Sequence, residues 1–269
     1  MLKIESYEQI QSFVQEIRQH QKGFVTNFYW DANKHPYWIA DGSFLYERGE
    51  EGVILIHQNE TFSNLFYMAT SLDVVSKMLD NLPSGSDLVT DLVCRGDGAK
   101  ELKAFKEMGF TLYKSLYRMC HVGQMAQADW EKDHSVELGT KKDTALVFQH
   151  LQRDFDPLCE QLPSQKEVED YAEKGQLWVI KDEAKLCGFL IAELNGVTWY
   201  LRYWYTSSEY RNLGIGAKLL RTSLVDGINS KRQIFWVISD NENAIKRYEH
   251  FGFKRENMND YVMIKRKQI

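Results

Sequence analysis

The sequence predicts a mixed α/β (α+β) protein built from two similar halves. Three observations carry that expectation. Segments of helical period alternate with short β-prone runs along the whole chain. The order helix, several strands, helix, strand, helix, strand occurs twice. A helix ending is also repeated: FKEMGF at Phe105 to Phe110 and YEHFGF at Tyr248 to Phe253 each place an aromatic, two spacers, an apolar residue and Gly-Phe before a final strand. A chain of 269 residues suits two average domains, each able to bury a core.

The first helix is expected at Tyr7 to His20, where Ile10, Phe13, Val14 and Ile17 form one apolar stripe. GFVTNFYW, SFLYERGE, GVILIHQN and TFSNLFYMA follow as strands. Ser71 to Leu82 is a helix with Ser71 as N-cap and Pro83 beyond its end. DLVTDLVC is a strand, Ala99 to Met108 a helix and TLYKSLYRMC a strand. The polar HVGQMAQADWEKDHS separates the halves, and the domains are drawn at 1–125 and 135–269 with a linker at 126–134.

In the second half Asp143 to Phe155 is helical. Ser164 to Lys174 is a helix opened by a capping box of Ser164 and Glu167. QLWVIKD and KLCGFLIAEL are strands joined by a tight turn, and TWYLRYWYT is a strongly β-prone run. GIGAKLLRTSLVDGI is a helix, RQIFWVIS a strand, Asn243 to Phe251 a helix and DYVMIKRK the last strand.

Composition excludes several classes. A net charge of −5, from 33 basic and 38 acidic side chains, argues against a nucleic-acid partner, which needs clustered Lys and Arg. No apolar run approaches the ~18 residues of a membrane span. The opening MLKIESYEQIQSF is polar rather than the apolar core of a signal peptide, so a cytoplasmic location is expected. Cys94, Cys120, Cys159 and Cys187 are widely spaced, which suits reduced thiols. No H-x-x-x-H pair occurs, and no metal is expected. The oligomeric state stays open.

Two segments carry chemistry. YRNLGIGAKLL, Tyr210 to Leu220, lies between a strand and a helix. Gly214 and Gly216 permit a tight turn and close backbone approach. The first N–H groups of the helix lack intrahelical partners and suit an anion, above all a diphosphate. Arg211 adds positive charge. After the next strand, Asn241, Ala244, Tyr248, Gly252 and Phe253 stand at N-x-x-A-x-x-x-Y-x-x-x-G-F spacing. Ala244 and Tyr248 share a helix face.

Together these segments resemble the GNAT (Gcn5-related N-acetyltransferase) superfamily. Arg211-x-x-Gly214-x-Gly216 is similar to its pyrophosphate loop, and Asn241 to Phe253 to its second cofactor motif. The resemblance is specific over about 199–253 and implies two tandem GNAT-like domains, each a mixed, mostly antiparallel sheet flanked by helices. It implies acetyl-CoA as cosubstrate. The pantetheine arm would pair with Trp204, Tyr205 and Thr206 as an added strand. The diphosphate would sit on the N–H groups of Leu213, Gly214, Ile215, Gly216, Ala217 and Lys218, beside Arg211 and Asn212. Asn241 or Asn243 would meet the pantetheine or acetyl end, and Tyr248 would stand near the thioester sulfur.

The implied activity is direct acetyl transfer to a primary amine of a small molecule or peptide. Strand N–H groups near Trp204 would stabilise the oxyanion. Tyr248 would protonate the leaving thiolate, a step uphill by roughly 2 kcal/mol for pKa values of about 8.5 and 10. The base is the open position, because Thr198 to Thr206 holds no carboxylate. Glu193 and Glu209 are the nearby acids; a water chain or an already neutral amine would serve instead. Arg202 either holds a substrate carboxylate or stacks on neighbouring rings, and strand alternation puts residues 200, 202, 204 and 206 on one face. Asp156 and Glu160, between the first two helices of this half, would meet a cationic acceptor. The alternatives are a non-catalytic acyl-CoA-binding or regulatory module, and an aminoacyltransferase.

The first half lacks these parts. The position that stands to Gly109 as Gly214 stands to Gly252 is Ser71, in FYMATSLDVVSKML. Phe105 replaces Tyr248 and Glu101 replaces Ala244. The first half therefore reads as a degenerate copy that braces the second and walls part of its acceptor cleft.

Overall fold

A computed structural model describes residues 1–82, 85–125 and 130–267. Pro83 and residues 126–129 of the expected linker lie outside the described residues. Elements are, in chain order, β1 (Leu2–Lys3), α1 (Tyr7–Gln19), β2 (Val25–Thr26), α2 (His35–Ala40), β3 (Phe44–Arg48), β4 (Gly52–Gln58) and β5 (Phe62–Ala69). Then come α3 (Leu72–Asp80), β6 (Asp87–Arg95), α4 (Ala99–Glu107), β7 (Thr111–Val122), β8 (Glu137–Leu138), α5 (Lys141–Asp154) and α6 (Gln165–Glu173). The chain continues with β9 (Leu177–Asp182), β10 (Lys185–Asn195), β11 (Thr198–Thr206), α7 (Ile215–Asp226), β12 (Arg232–Ile238), α8 (Glu242–His250) and β13 (Lys254–Lys265).

The chain divides into two compact units, Met1–Leu116 with Asn257–Ile269, and Tyr117–Glu256. These units differ from the boundaries drawn on the sequence in two respects: the second unit begins at Tyr117, and the last segment joins the first unit. The cause of the second difference is strand pairing. β13 runs antiparallel to β6 from Met258↔Arg95 to Lys265↔Leu88, so its backbone groups are satisfied there.

In the first unit the strand order is β1-β3-β4-β5-β6-β13-β7. All pairs with a defined register are antiparallel except β5–β6. One face carries α1 and α2 over a core of Ile10, Phe13, Trp38, Phe44 and Phe66. The other carries α3 and α4 over Ile54, Leu65, Val75, Phe105 and Phe110. Ser71 caps α3 as expected, accepting from the Val74 N–H at 3.4 Å. α2 is absent from the sequence reading, which extended a strand through GFVTNFYW and missed HPYWIA. Pro36 opens this helix, and burial of His35 and Trp38 among Phe28 and Phe44 outweighs its weak helix propensity.

In the second unit the order is β7-β12-β11-β10-β9-β8. Again one pair is parallel, β11–β12, and β8–β9, β9–β10 and β10–β11 are antiparallel. α5 and α6 cover one face over Val147, Leu151, Val168, Phe189 and Tyr203. α7 and α8 cover the other over Leu190, Leu201, Leu219, Phe235 and Phe253. The α6 capping box forms as read, with the Ser164 N–H donating to Glu167 at 2.8 Å and the Glu167 N–H to Ser164 Oγ at 3.3 Å.

Each unit thus contains one parallel pair that separates after three residue pairs. In the first, β5 and β6 pair from Phe62↔Asp87 to Asn64↔Val89. In the second, β11 and β12 pair from Thr198↔Arg232 to Tyr200↔Ile234. Beyond those points each leading strand has one edge turned to the gap.

Candidate active site

β11 frames the site. β10 covers its other edge from Asn195↔Thr198 to Gly188↔Thr206. On the β12 side, among the described residues, no strand pairs with Leu201 to Thr206. The N–H and C=O groups there are the template an added extended chain needs. A register shift between Ile191 and Ala192 puts Tyr203 opposite the first and Leu201 opposite the second, leaving Arg202 as the extra residue.

That bulge corrects the expected shared face of residues 200, 202, 204 and 206. After it, Trp204 packs with the α7–α8 core, and Tyr203 and Tyr205 pack with the α5–α6 core. Arg202 turns back over the Tyr200 ring at 4.3 Å. Simple alternation fails because one inserted residue reverses the parity of everything after it.

β11 leads through Ser208–Tyr210, a short 3-10 turn, into the glycine segment. Asn212 and Gly214 both have left-handed backbones, φ 69° and 73°. Gly214 is the N-cap of α7, and no side chain caps that helix. Its first turn also holds no acid. Unpaired N–H groups therefore face outward at the positive end of the dipole. Arg211 to Gly214 are exposed. A Cβ on Gly216 would stand 3.2 Å from Thr206 Oγ1 and 3.3 Å from Trp204 Nε1. The glycine thus lets the start of α7 close onto the end of β11. Lys218 leans away toward Asp133 at 3.6 Å and Ser135 at 3.4 Å.

α8 supplies the aromatic acid. The Asn241 side chain accepts from the Ala244 N–H at 3.3 Å, so it caps α8. Asn243 is exposed. Ala244 and Tyr248 both pack against the α7–α8 core, as their spacing required. The Tyr248 ring lies 4.6 Å from Phe235 and 5.2 Å from Trp204. Burial, then the charge of Glu160, pushes its hydroxyl up to about 12, with Arg247 opposing. The sequence reading took an ordinary tyrosine. At about 12, proton donation to a thiolate of pKa about 8.5 costs about 5 kcal/mol rather than about 2.

The acids fall into two groups. Glu193 is buried and bound by Arg202, whose Nε donates to Oε1 at 2.6 Å. Their side chains are 3% and 14% exposed. The two residues, expected in separate roles, therefore neutralise each other. Glu209 is at the surface, 3.8 Å from Lys185. The second group sits in the α5–α6 loop. Asp156 organises that loop, accepting from the Leu158 N–H at 3.0 Å. Glu160 has its carboxyl pushed up to about 7, first by burial and then by the charge of Asp156.

The structure thus brings Trp204, Gly216 and Tyr248 together, and joins Glu160 electrostatically to Tyr248. It withdraws Glu193 and Arg202 into a pair. The sequence reading missed Tyr203, whose hydroxyl donates to the Gln161 carbonyl at 2.8 Å and pins the acidic loop to β11. Only the position of the bulge would have revealed it. Among the described residues, no group of three His, Cys, Asp or Glu side chains is placed to hold a metal. Among them too, no helix is long and apolar enough to cross a membrane.

Residues 145–253 match the Acetyltransferase (GNAT) family. A tandem GNAT protein from the clavulanic acid biosynthesis pathway superposes over 100% of this chain and 98% of its own, with 9% identity and a TM-score of 0.63. A GCN5-related N-acetyltransferase from Sphaerobacter thermophilus covers 95% and 91%, with 11% identity and a TM-score of 0.58. A GNAT-family acetyltransferase from Colwellia psychrerythraea covers 98% and 98%, with 15% identity and a TM-score of 0.54. At such identities the likeness is one of fold. A comparison with curated proteins found no match.

Proposed function

We propose that the protein transfers an acetyl group from acetyl-CoA to a primary amine, on the premise that residues 145–253 match the acetyltransferase (GNAT) family and that the chain has the fold of a tandem GNAT protein. The observation that carries this reading is the unpaired edge of β11 from Leu201 to Thr206, which runs into the uncapped N-terminus of α7. The chain's own groups suit the cosubstrate. The β11 edge offers backbone partners for the amide-bearing pantetheine arm. The N–H groups of Leu213 to Ala217, with Arg211, suit a diphosphate; that of Lys218, expected to join them, instead donates to the Gly214 carbonyl at 3.0 Å. A Cβ at position 216 would fill space between them.

Acetyl-CoA supplies the activated acetyl group. The β11 N–H groups near Trp204 stabilise negative charge on the carbonyl oxygen. Tyr248 holds the proton that the departing sulfur needs. Asp156 and Glu160 give the acceptor end negative charge, whereas the charge of Arg202 is met by Glu193. That balance favours an amine arriving as a cation. It removes the case for Arg202 as a carboxylate clamp.

The test is an acetyl-CoA-dependent assay over a panel of diamines, amino acids and lysine peptides, read by free-thiol release and product mass. Acetylated product with stoichiometric thiol supports the reading. Saturable acetyl-CoA binding with no acetylated amine favours the second one, a non-catalytic acyl-CoA-binding module. The engagement of Glu193 by Arg202, which occupies one acid expected to act as base, is what keeps that alternative in view.

A further inference from the structure

With Glu193 bound by Arg202 and Glu209 at the surface, the acceptor amine lacks an evident base among the acids first considered. The α5–α6 loop supplies another. Adjacent residues of β11 join this loop to α8: the Tyr203 hydroxyl holds the Gln161 carbonyl at 2.8 Å, and the Trp204 ring meets Tyr248 at 5.2 Å. The loop and Tyr248 are thus anchored to neighbouring residues of β11, on its α5–α6 and α7–α8 faces, and Glu160, next to Gln161, lies in electrostatic reach of Tyr248. No salt-bridge cation pairs with it among the described residues.

We propose that Glu160 is the general base, taking a proton from the acceptor ammonium at the end of the unpaired β11 edge. This rests on the acetyltransferase reading and names a residue for it. The step balances as follows. The ammonium gives one proton to Glu160, and its freed lone pair forms the C–N bond to the acetyl carbon as the C–S bond breaks. The thiolate takes the Tyr248 proton. The amide nitrogen's second proton restores Tyr248 through solvent, and Glu160 releases its own to water.

The electrostatics favour this assignment. A carboxyl at about 7 is half ionised near neutral pH and a stronger base than an ordinary Glu. Asp156, in the same loop, contributes to that shift. Glu160 acts in turn on Tyr203 of β11 and Tyr248 of α8. Those tyrosines also feel Tyr171 and Glu167 of α6, Arg202 of β11 and Arg247 of α8. Both tyrosines are held protonated. Once Glu160 is neutral it no longer opposes ionisation of Tyr248, so accepting the first proton eases release of the second.

The experiment compares the full chain with Glu160→Gln and Asp156→Asn. Glutamate labelled with 13C at the carboxyl gives a readout independent of turnover. One resonance should titrate near pH 7 and vanish in Glu160→Gln. In the acetylation assay, kcat/KM should rise with pH through the same region. Glu160→Gln should lose that limb and fall on the order of 100-fold, with acetyl-CoA binding and thermal melting kept. Asp156→Asn should move the limb to lower pH, an effect that lost packing would not produce. A Glu160 carboxyl titrating in the ordinary range overturns the proposal. Full activity in Glu160→Gln overturns it while leaving the acetyltransferase reading intact. Wild-type protein that binds acetyl-CoA and acetylates nothing overturns both.

Discussion

The two units build the same separated parallel pair and fill it differently. In the second, the β11 edge beyond Tyr200 has no strand partner on the β12 side among the described residues. In the first, β4 covers one edge of β5 from Ser63 to Ala69, and the chain itself covers the other. β2 pairs with it at Val25↔Ala69 and Thr26↔Met68. Asn27 then bridges the gap: its Oδ1 accepts from the Tyr67 N–H at 2.8 Å, and its Nδ2 donates to Thr90 Oγ1 at 2.9 Å and to the Leu65 and Asp91 carbonyls at 3.2 Å. Thr26 Oγ1 donates to the Tyr67 carbonyl at 2.7 Å. The groups that would receive an added strand are already satisfied.

The following helices repeat the contrast. α3 is capped by its own Ser71, whereas α7 begins at Gly214 with no side-chain cap. Phe105 is fully buried against Phe110 and Tyr67, and its counterpart Tyr248 keeps a hydroxyl and partial exposure. One architecture therefore serves as a closed core in one unit and an open cleft in the other. What separates them is a handful of polar groups, not the fold.

The comparison breaks most visibly at Tyr248. Tyr248→Phe gives the second unit the residue the first already has. Acetyl transfer should drop on the order of 100-fold while acetyl-CoA affinity, measured by calorimetry, stays within about twofold. Undiminished turnover would strip the Phe105–Tyr248 contrast of chemical meaning. A smaller effect is expected from opening the closed gap. Asn27→Ala leaves the Tyr67 N–H without its acceptor, at a cost of about 2 kcal/mol, visible as a lower denaturant midpoint. Unchanged stability would show that the bridge is incidental.

Acid should sharpen the contrast further, and more gently. His57 stacks on Trp38 at 3.8 Å, and burial lowers it to about 4. Its folded value is depressed, so the stability it gives the first unit is present above about 6.5 and lost as pH falls toward 4. About 1 kcal/mol should go between pH 7 and about 5.5. Glu160 has the opposite sign: its folded value is raised, so the second unit gains as pH falls from about 7 toward 4.5. Native-state hydrogen exchange, corrected for intrinsic rates and taken as wild type minus His57→Phe in the first unit and wild type minus Glu160→Gln in the second, should show contributions moving in opposite directions; the difference sets aside Asp260, whose carboxyl is raised in the first unit by burial. His57→Phe should abolish the loss in the first; parallel shifts would refute the assignment.

Much of this was legible in the sequence. Local signals gave most of the longer elements, the α6 capping box and the glycine turn, because each depends on residues a few positions apart. The motif spacing of Gly214, Gly216, Ala244 and Tyr248 is equally local. What escaped depends on distant partners. Asn27 reaches groups 38 to 64 residues away, and nothing near it marks it as a bridge. The Glu193–Arg202 pair joins two strands across a bulge that alternation could not anticipate. Glu160 was read as an acceptor contact, since its shift comes from burial and Asp156, which only the folded loop supplies.

The first unit also takes up β13 from the far end of the chain, so a fragment of residues 1–125 would lack a strand between β6 and β7 and is unsuited to testing it. The full chain provides the direct measurement: calorimetric titration with acetyl-CoA, for wild type and Gly216→Asp. One open and one closed gap predict one equivalent bound, and none in Gly216→Asp, where a carboxylate stands against the diphosphate and its Cβ crowds Thr206 and Trp204. Two equivalents in wild type, or saturable binding that survives in a folded Gly216→Asp, would contradict it.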